Sequence, residues 1–466
     1  MALTNDELDF LRVTHRQLAD VPLEPNDPMR EPIHEILDDA DPVLSMQRRV
    51  NFNDVQSLQL FSGFRGAGKT TELFRLRNEL RKQNYVVLYA DAMAYVNPAE
   101  PIDIADMLMV IAGAFSDTLA THPDFMTDIA HESFWDRLKN FLTRTEVRIS
   151  GADLKSDYSS PGKAVLGGLS AGLNIKAEIK TASSFRQNLQ KFLSGHLVEL
   201  KNEVDLFIED GVKTIRAKCG ETAQIVFIFD SLEQLRGSFL TWKDVIRSVE
   251  QLFSVHIDRL RLPYVHAIYA VPPWLKFVLP SEAPMTVLPT VHLWDNAPER
   301  PRSEKAWPVF HHLIRRRLKL EGIERLFGPN GAAADGPLDR LIGACGGHVR
   351  DLLRLMQETL VRATTLPVTS QVVDSVINAT RRDMLPIALD DAKWLRDIAE
   401  SRNAAMPNTD ERSVERLSNF LDTHRVIYFV NGSAWYDVHP LIRDEIGRVI
   451  AAAEARIAAA AERTAT

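Results

Sequence analysis

Residues 56–71, QSLQLFSGFRGAGKTT, pass from an apolar stretch into a glycine-rich turn that ends in Gly68-Lys69-Thr70. The spacing G-x-x-x-x-G-K-[ST] predicts a loop whose successive backbone N–H groups point inward at phosphates. Gly63, Gly66 and Gly68 make this feasible because they carry no Cβ to obstruct so tight a fold. Lys69 is expected to reach the β- and γ-phosphates of a nucleoside triphosphate, ATP or ADP after turnover, with Thr70 as a ligand of Mg²⁺. Arg65, Ala67 and Thr71 complete the cradle, and the helix starting here aims its positive end at the anion.

Such a loop needs a second strand that ends in an acid holding Mg²⁺ through water, and QIVFIFD at 224–230 supplies Asp230. The alternative for Asp230 is a strand end that caps a helix. One short turn further on, Glu233 is the candidate for orienting an attacking water; otherwise it is a surface charge.

These residues must be positioned by a sheet. Five strands are expected, at 57–62, 85–91, 224–230, 264–271 and 286–293, alternating with helical stretches. Near-continuous apolar strands separated by helices predict an α/β fold, a five-stranded parallel sheet with helices on both faces. Leu73, Leu76 and Leu80 follow the loop at helical spacing, so strand, loop and helix come in the required order. Residues 1–45 read as a lead-in segment and 46–299 as the core, with an insertion at 144–216. Within the insertion, TEVRIS at 145–150 and the period-two alternation from Leu169 to Ile179 predict a hairpin. Residues 183–215 then predict one long amphipathic helix. From 300 to 386 the pattern is that of an all-α lid. From 387 to 450 helices precede a ribbon whose Asn431-Gly432 is a strong hairpin signal, the pattern of a winged helix. The Ala-rich 451–466 is a fraying helical tail.

Composition narrows the class. The chain has 466 residues, 45% hydrophobic and 25% charged, with net charge -8, which disfavours coating nucleic acid by global attraction. No apolar run approaches the roughly 20 residues of a bilayer span, and MALTNDELDFLR lacks a basic-then-apolar leader, so a cytoplasmic protein with no membrane partner is expected. The two cysteines, Cys219 and Cys345, give neither a disulfide framework nor metal spacing and are expected to be buried small hydrophobes. Arg315-Arg316-Arg317 reads as a solvated helix face or a displaced trans-acting finger.

In order and motifs the chain resembles the AAA+ and STAND branch of P-loop ATPases over most of residues 28–450. Its lid and winged helix are arranged as in the initiator or origin-recognition subgroup and in NACHT and NB-ARC switch proteins. The segment Gly346-Gly347-His348-Val349-Arg350-Asp351-Leu352 is similar to the AAA+ lid segment whose arginine reaches back to the phosphates, which implies that role for Arg350. Val438-His439-Pro440-Leu441 resembles the M-H-D motif, which implies that His439 holds the β-phosphate of ADP, although Pro440 replaces the acid. Three accelerating groups depart from the AAA+ pattern. Ser231 stands where a catalytic Glu is usual, Ala270 where a polar residue touches the γ-phosphate, and Lys276 is the only basic residue between Val271 and Val291.

The combined expectation is an ATP-binding, slowly hydrolysing switch that forms a homo-oligomer and regulates a separate effector protein, as ATPases resembling it do in bacterial defence or signalling. The alternatives are a DNA-binding initiator or loader, and a nucleotide-binding scaffold without turnover. DNA is disfavoured because residues 387–466 hold 10 basic against 13 acidic residues.

Overall fold

The apolar runs form β1 (Ser57–Gly63), β2 (Val86–Asp91), β3 (Ile225–Asp230), β4 (His266–Val271) and β5 (Met285–Leu288) in one sheet of order β2-β3-β4-β1-β5. The pairs β2–β3, β3–β4 and β4–β1 are parallel. Every residue of β3 and β4 is buried, as a strand covered on both faces requires, whereas the edge strand β2 is partly exposed. The carboxyl ends of β1 and β3 therefore lie on the same edge of the sheet, with β4 between them. The fifth strand stops at Leu288, short of the expected 293, because Pro289 has no N–H for a ladder. Thr290 instead donates its N–H to the Tyr428 carbonyl at 3.0 Å.

The computed structural model describes residues 3–37, 41–123, 133–150, 175–181, 183–238, 240–280, 283–297, 299–408 and 411–465. In chain order the helices are α1 (Asn5–Gln17), α2 (Ile33–Leu37), α3 (Pro42–Asn51), α4 (Lys69–Lys82), α5 (Ile104–Thr121), α6 (Phe134–Ser150), α7 (Ile175–Thr181), α8 (Ser183–Ser194), α9 (Leu197–Cys219) and α10 (Trp242–Ser254). After the sheet come α11 (Ala306–Phe327), α12 (Pro337–Ala344), α13 (Val349–Arg362), α14 (Ser370–Asp383), α15 (Leu389–Ser401), α16 (Glu411–Asp422) and α17 (Arg443–Ala465). The chain divides into two units, one of Met1–Leu44, Gly63–Arg75 and Val287–Thr466, the other of Ser45–Ser62 and Leu76–Thr286.

In the unit that holds the sheet, α5 packs on β2 and α9. It is long and apolar enough to cross a membrane, but 78% of it is buried in the protein, which accounts for its composition as that of a core helix. The expected hairpin of the insertion is not formed at either described end. Residues 145–150 continue α6 and 175–181 form α7, while 151–174 lie outside the described residues. The single long helix expected at 183–215 is two, α8 and α9, separated at Gly195-His196. Cys219 is exposed at the end of α9, not buried as expected; Cys345 is buried.

In the other unit, α11 to α14 bury Phe310, Leu341, Leu352, Met356 and Val373 in a common core joined by Leu11 and Leu18 at the amino end. Arg317 is 5% exposed and donates to the carbonyls of Gln17 and Ala19, both at 3.1 Å, so it anchors the end of α1 and is no solvated face. Helices α15 and α16 precede an antiparallel ribbon, β6 (Val426–Asn431) and β7 (Ser433–Val438), which turns at Gly432 with φ 74°. Trp394 and Trp435 are buried, as core residues. Residues 451–460 of α17 are exposed apart from the half-buried Ala453.

Candidate functional site

The phosphate loop is held by its backbone. Gly66 and Gly68 have φ of 91° and 95°, the left-handed region open to glycine. A Cβ on Gly66 would also stand 2.5 Å from Arg350 Cβ, so this glycine both shapes the loop and lets the lid approach it. Lys69, 4% exposed, donates from Nζ to the carbonyls of Gly63 at 2.9 Å and Phe64 at 3.1 Å. Its ammonium is thus held directly over the loop. Thr70 and Thr71 stand half-buried in the first turn of α4, where helix N–H groups favour an anion. Ala67 is buried and Arg65 exposed.

The lead-in segment supports this loop without any motif that marks it. His34 Nε2 donates to the Ala67 carbonyl at 3.3 Å, and Leu23 N donates to Thr71 Oγ1 at 3.3 Å. Behind them Arg30 reaches Glu72 at 3.2 Å, and Arg75 reaches Asp41 at 2.6 Å and Glu72 at 2.6 Å. These buried charges are mutually paired, which fixes the first turns of α4.

Asp230 is fully buried at the end of β3; its Oδ2 accepts from the Tyr89 hydroxyl at 2.6 Å and its Oδ1 from Ser231 N at 2.7 Å. Burial and the neighbouring Asp230 charge raise the Tyr89 pKa, so the phenol stays protonated and donates. Thr70 and Asp230 each carry a hard oxygen donor of the kind Mg²⁺ takes. Ser231 has φ 74° and opens the short turn Leu232–Gln234, on which Glu233 is half-buried. Ala270 pairs with Phe61 in the sheet, and the described end of β4 offers Ala270 and Val271 with no polar side chain.

The lid residues converge by a different route. Gly346 and Gly347 have φ of 61° and 89°, and a Cβ on Gly347 would lie 1.9 Å from the Val291 carbonyl oxygen. This turn delivers Arg350 to the loop, its N–H donating to the Gly66 carbonyl at 3.4 Å, while its guanidinium pairs with Asp20. His439 is buried and lies beside Gly346; its Nδ1 accepts from Leu441 N at 3.3 Å. Burial pushes its pKa down to about 4, Asp351 opposing the shift.

Sequence reasoning missed a histidine stack next to these. His348 and His424 lie 4.2 Å apart with planes 4° from parallel, and Phe64 of the phosphate loop stands edge-on to both, at 5.7 and 6.0 Å. His424 Nδ1 donates to Asp351 Oδ2 at 3.2 Å. His348, Asp351 and His424 each place a ligand-type atom within 4.8 Å of the others. A bound metal lies in the plane of each imidazole that ligates it, and parallel rings so spaced share no such point. The arrangement is a stack that joins loop, lid and ribbon. Burial, then the His424 charge, holds His348 well below its ordinary pKa, and therefore neutral.

Sheet order and the strand–loop–helix passage through Gly63–Thr70 together give the core a parallel α/β fold with a P-loop after β1. No protein-family model matches the chain, and no curated protein matches it. Among solved structures, the chain is similar to the ADP form of the Aeropyrum pernix ORC2 protein at 11% identity and TM-score 0.40, covering 94% of this chain and 98% of that one. A Walker-type ATPase of Pyrococcus abyssi is 10% identical with TM-score 0.37, over 93% and 99% of the two chains. Cdc6p from Pyrobaculum aerophilum is 9% identical with TM-score 0.34, over 97% and 99%. These are weak likenesses, and the chemistry follows from the residues of this chain.

Proposed function

We propose that the protein is an ATP-binding, slowly hydrolysing P-loop ATPase that works as a switch of AAA+/STAND type. The observation that carries the reading is the phosphate loop itself, with Gly66 and Gly68 at positive φ and Lys69 held over the loop carbonyls. Thr70 and Asp230 would hold Mg²⁺, and Glu233 would orient water. Slow turnover is supported by what the site omits: Ser231 follows Asp230, Ala270 ends β4, and no arginine lies between Val271 and Val291. A missing arginine of that kind costs orders of magnitude in rate.

Switching requires groups that contact ATP and ADP differently. Arg350 beside Gly66 and His439 beside Gly346 are the two assigned that work, one from the lid and one from a winged-helix domain at 387–450. Homo-oligomer formation, a separate effector partner and a cytoplasmic location belong to the same reading. Purified protein should bind ATP and turn it over below about 0.1 per second, and Lys69→Ala should abolish binding without unfolding. Unchanged ATP affinity in that variant, or fast turnover without a partner, contradicts the proposal.

A DNA-binding initiator is the second reading, favoured by the helix pair and ribbon of 389–438. Duplex binding that survives about 150 mM salt with sequence selectivity supports it over the switch.

A further inference from the structure

Three arginines from distant parts of the chain meet at one carboxylate. Arg443 Nη2 donates to Asp437 Oδ1 at 2.7 Å, Arg300 Nη2 to the same oxygen at 3.2 Å, and Arg402 Nη1 to Oδ2. Asp437 is 10% exposed, so it is the buried anchor, while the arginine side chains stay 17 to 34% exposed. Three positive charges against one negative leave a surplus of two. A fourth arginine, Arg396, has its own acids, Asp397 at 3.7 Å and Glu400 at 3.9 Å. All four line a cavity of about 670 Å³ with Asn296, Ile446 and one acid, Glu400, which offsets Arg396.

Holding like charges this close is unfavourable. Burial lowers the pKa of Arg300, and the Arg402 charge adds to the lowering while Asp437 opposes it. The backbone is strained as well, since Arg300 and Arg402 have φ of 49° and 60°. Arg402 occupies the left-handed residue after α15, a position usually given to glycine. Glycine there would relieve the strain and the charge crowding, yet the chain keeps an arginine that pairs with Asp437 and lies over the Trp435 ring, 5.6 Å from its centroid.

We propose that this cavity is a second anion site, built for a small phosphorylated ligand. Guanidinium forks match phosphate oxygens pairwise, the surplus of two matches a phosphate dianion, and Asp437 holds the forks in place. The cavity has the size of an ordinary small-ligand site. This inference does not depend on the phosphate loop, and its test keeps the two apart.

Inorganic pyrophosphate is titrated calorimetrically, at fixed ionic strength, into the full-length Lys69→Ala protein. Saturable binding with Kd below about 1 mM is expected. Adding Arg402→Gly, which removes the guanidinium while relaxing the backbone, should weaken it at least ~10-fold while the protein still unfolds in one cooperative transition. Arg443→Gln provides the same reading at a helix start should the glycine variant fold poorly. ADP affinity of Arg402→Gly with Lys69 intact should equal that of the parent. The proposal is overturned if pyrophosphate does not saturate, or binds the arginine variants as well as the parent. It is equally overturned if a short DNA duplex, and not pyrophosphate, loses affinity in them, since the arginines would then be a nucleic-acid contact.

Discussion

The phosphate loop and the arginine-lined cavity belong to the same unit and offer positive charge by opposite means. In the loop the backbone does most of the work: Gly66 and Gly68 bend it, the first turn of α4 follows at once, and Lys69 is the principal charged side chain. In the cavity the backbone only carries side chains, Arg300, Arg402 and Arg443, each from a different element. A backbone site is written in consecutive residues, because its geometry is local. A side-chain site is written wherever the fold happens to bring residues together. Glycine marks the first kind, and an arginine standing where glycine is usual marks the second.

Gly66→Ala should have the largest effect. It forces a β-carbon into a φ of 91° and to 2.5 Å from Arg350 Cβ, so loop shape and lid approach are lost together. Nucleotide affinity is expected to fall by at least ~100-fold and stability by about 1–3 kcal/mol. Gly68→Ala, at φ 95° but with no heavy atom within 4 Å of the added carbon, should cost only the conformational part. Calorimetric titration of ADP beside urea unfolding checks both. Equal losses at the two positions would mean that the lid contact is immaterial and would erase the distinction between loop and lid.

The same contrast explains what could be read from the chain. Loop, Asp230 and the four long strands were legible because each is a contiguous pattern. The expected hairpin at 145–150 was misread since TEVRIS alternates, yet in place it extends the amphipathic α6. Pro289 ended β5 early, and Gly195 divided what looked like one helix. Arg317 reads as surface charge only until its carbonyl acceptors, some 300 residues earlier, are known. The support of the loop by Leu23 and His34, the histidine stack and the arginine cavity have no local signature at all.

Acid should come next in size, acting on the histidine constellation that packs against Phe64 of the loop. His439, with its pKa near about 4, and His348, also depressed, are neutral in the fold; Asp351, His424 and the Lys69 charge are their titratable neighbours. In the unfolded chain both protonate near 6.5. Between pH 6.5 and about 4 the unfolded state therefore binds more protons, and stability falls as pH is lowered through that window. For His439 alone the loss amounts to about 3 kcal/mol at the lower end. Asp351, whose pKa is depressed despite burial because His424 bonds to it, loses its contribution only below the ordinary carboxylate range. Urea midpoints at pH 7.5, 6 and 5 should decline, and His439→Gln should flatten the decline. A midpoint indifferent to pH would show that these histidines take up protons alike in the folded and unfolded states.

The smallest expected effect is the most discriminating for the switch. Arg350 lies against Gly66 yet spends its guanidinium on Asp20, and both side chains are about a quarter exposed, so the ion pair contributes only about 0.5 kcal/mol. If Arg350 leaves Asp20 for a γ-phosphate, the two residues compete with the nucleotide for one guanidinium. Asp20→Ala should then raise ATP affinity a few-fold with little change for ADP, and Arg350→Ala should lower ATP affinity by a comparable or larger factor. If the pair is only structural, both variants lose the same few tenths of a kcal/mol and bind nucleotide as the parent does. Titrating ADP and a slowly hydrolysed ATP analogue into the two variants therefore separates a lid that reads the γ-phosphate from one that merely packs on the loop, since only the first makes the two substitutions act in opposite directions.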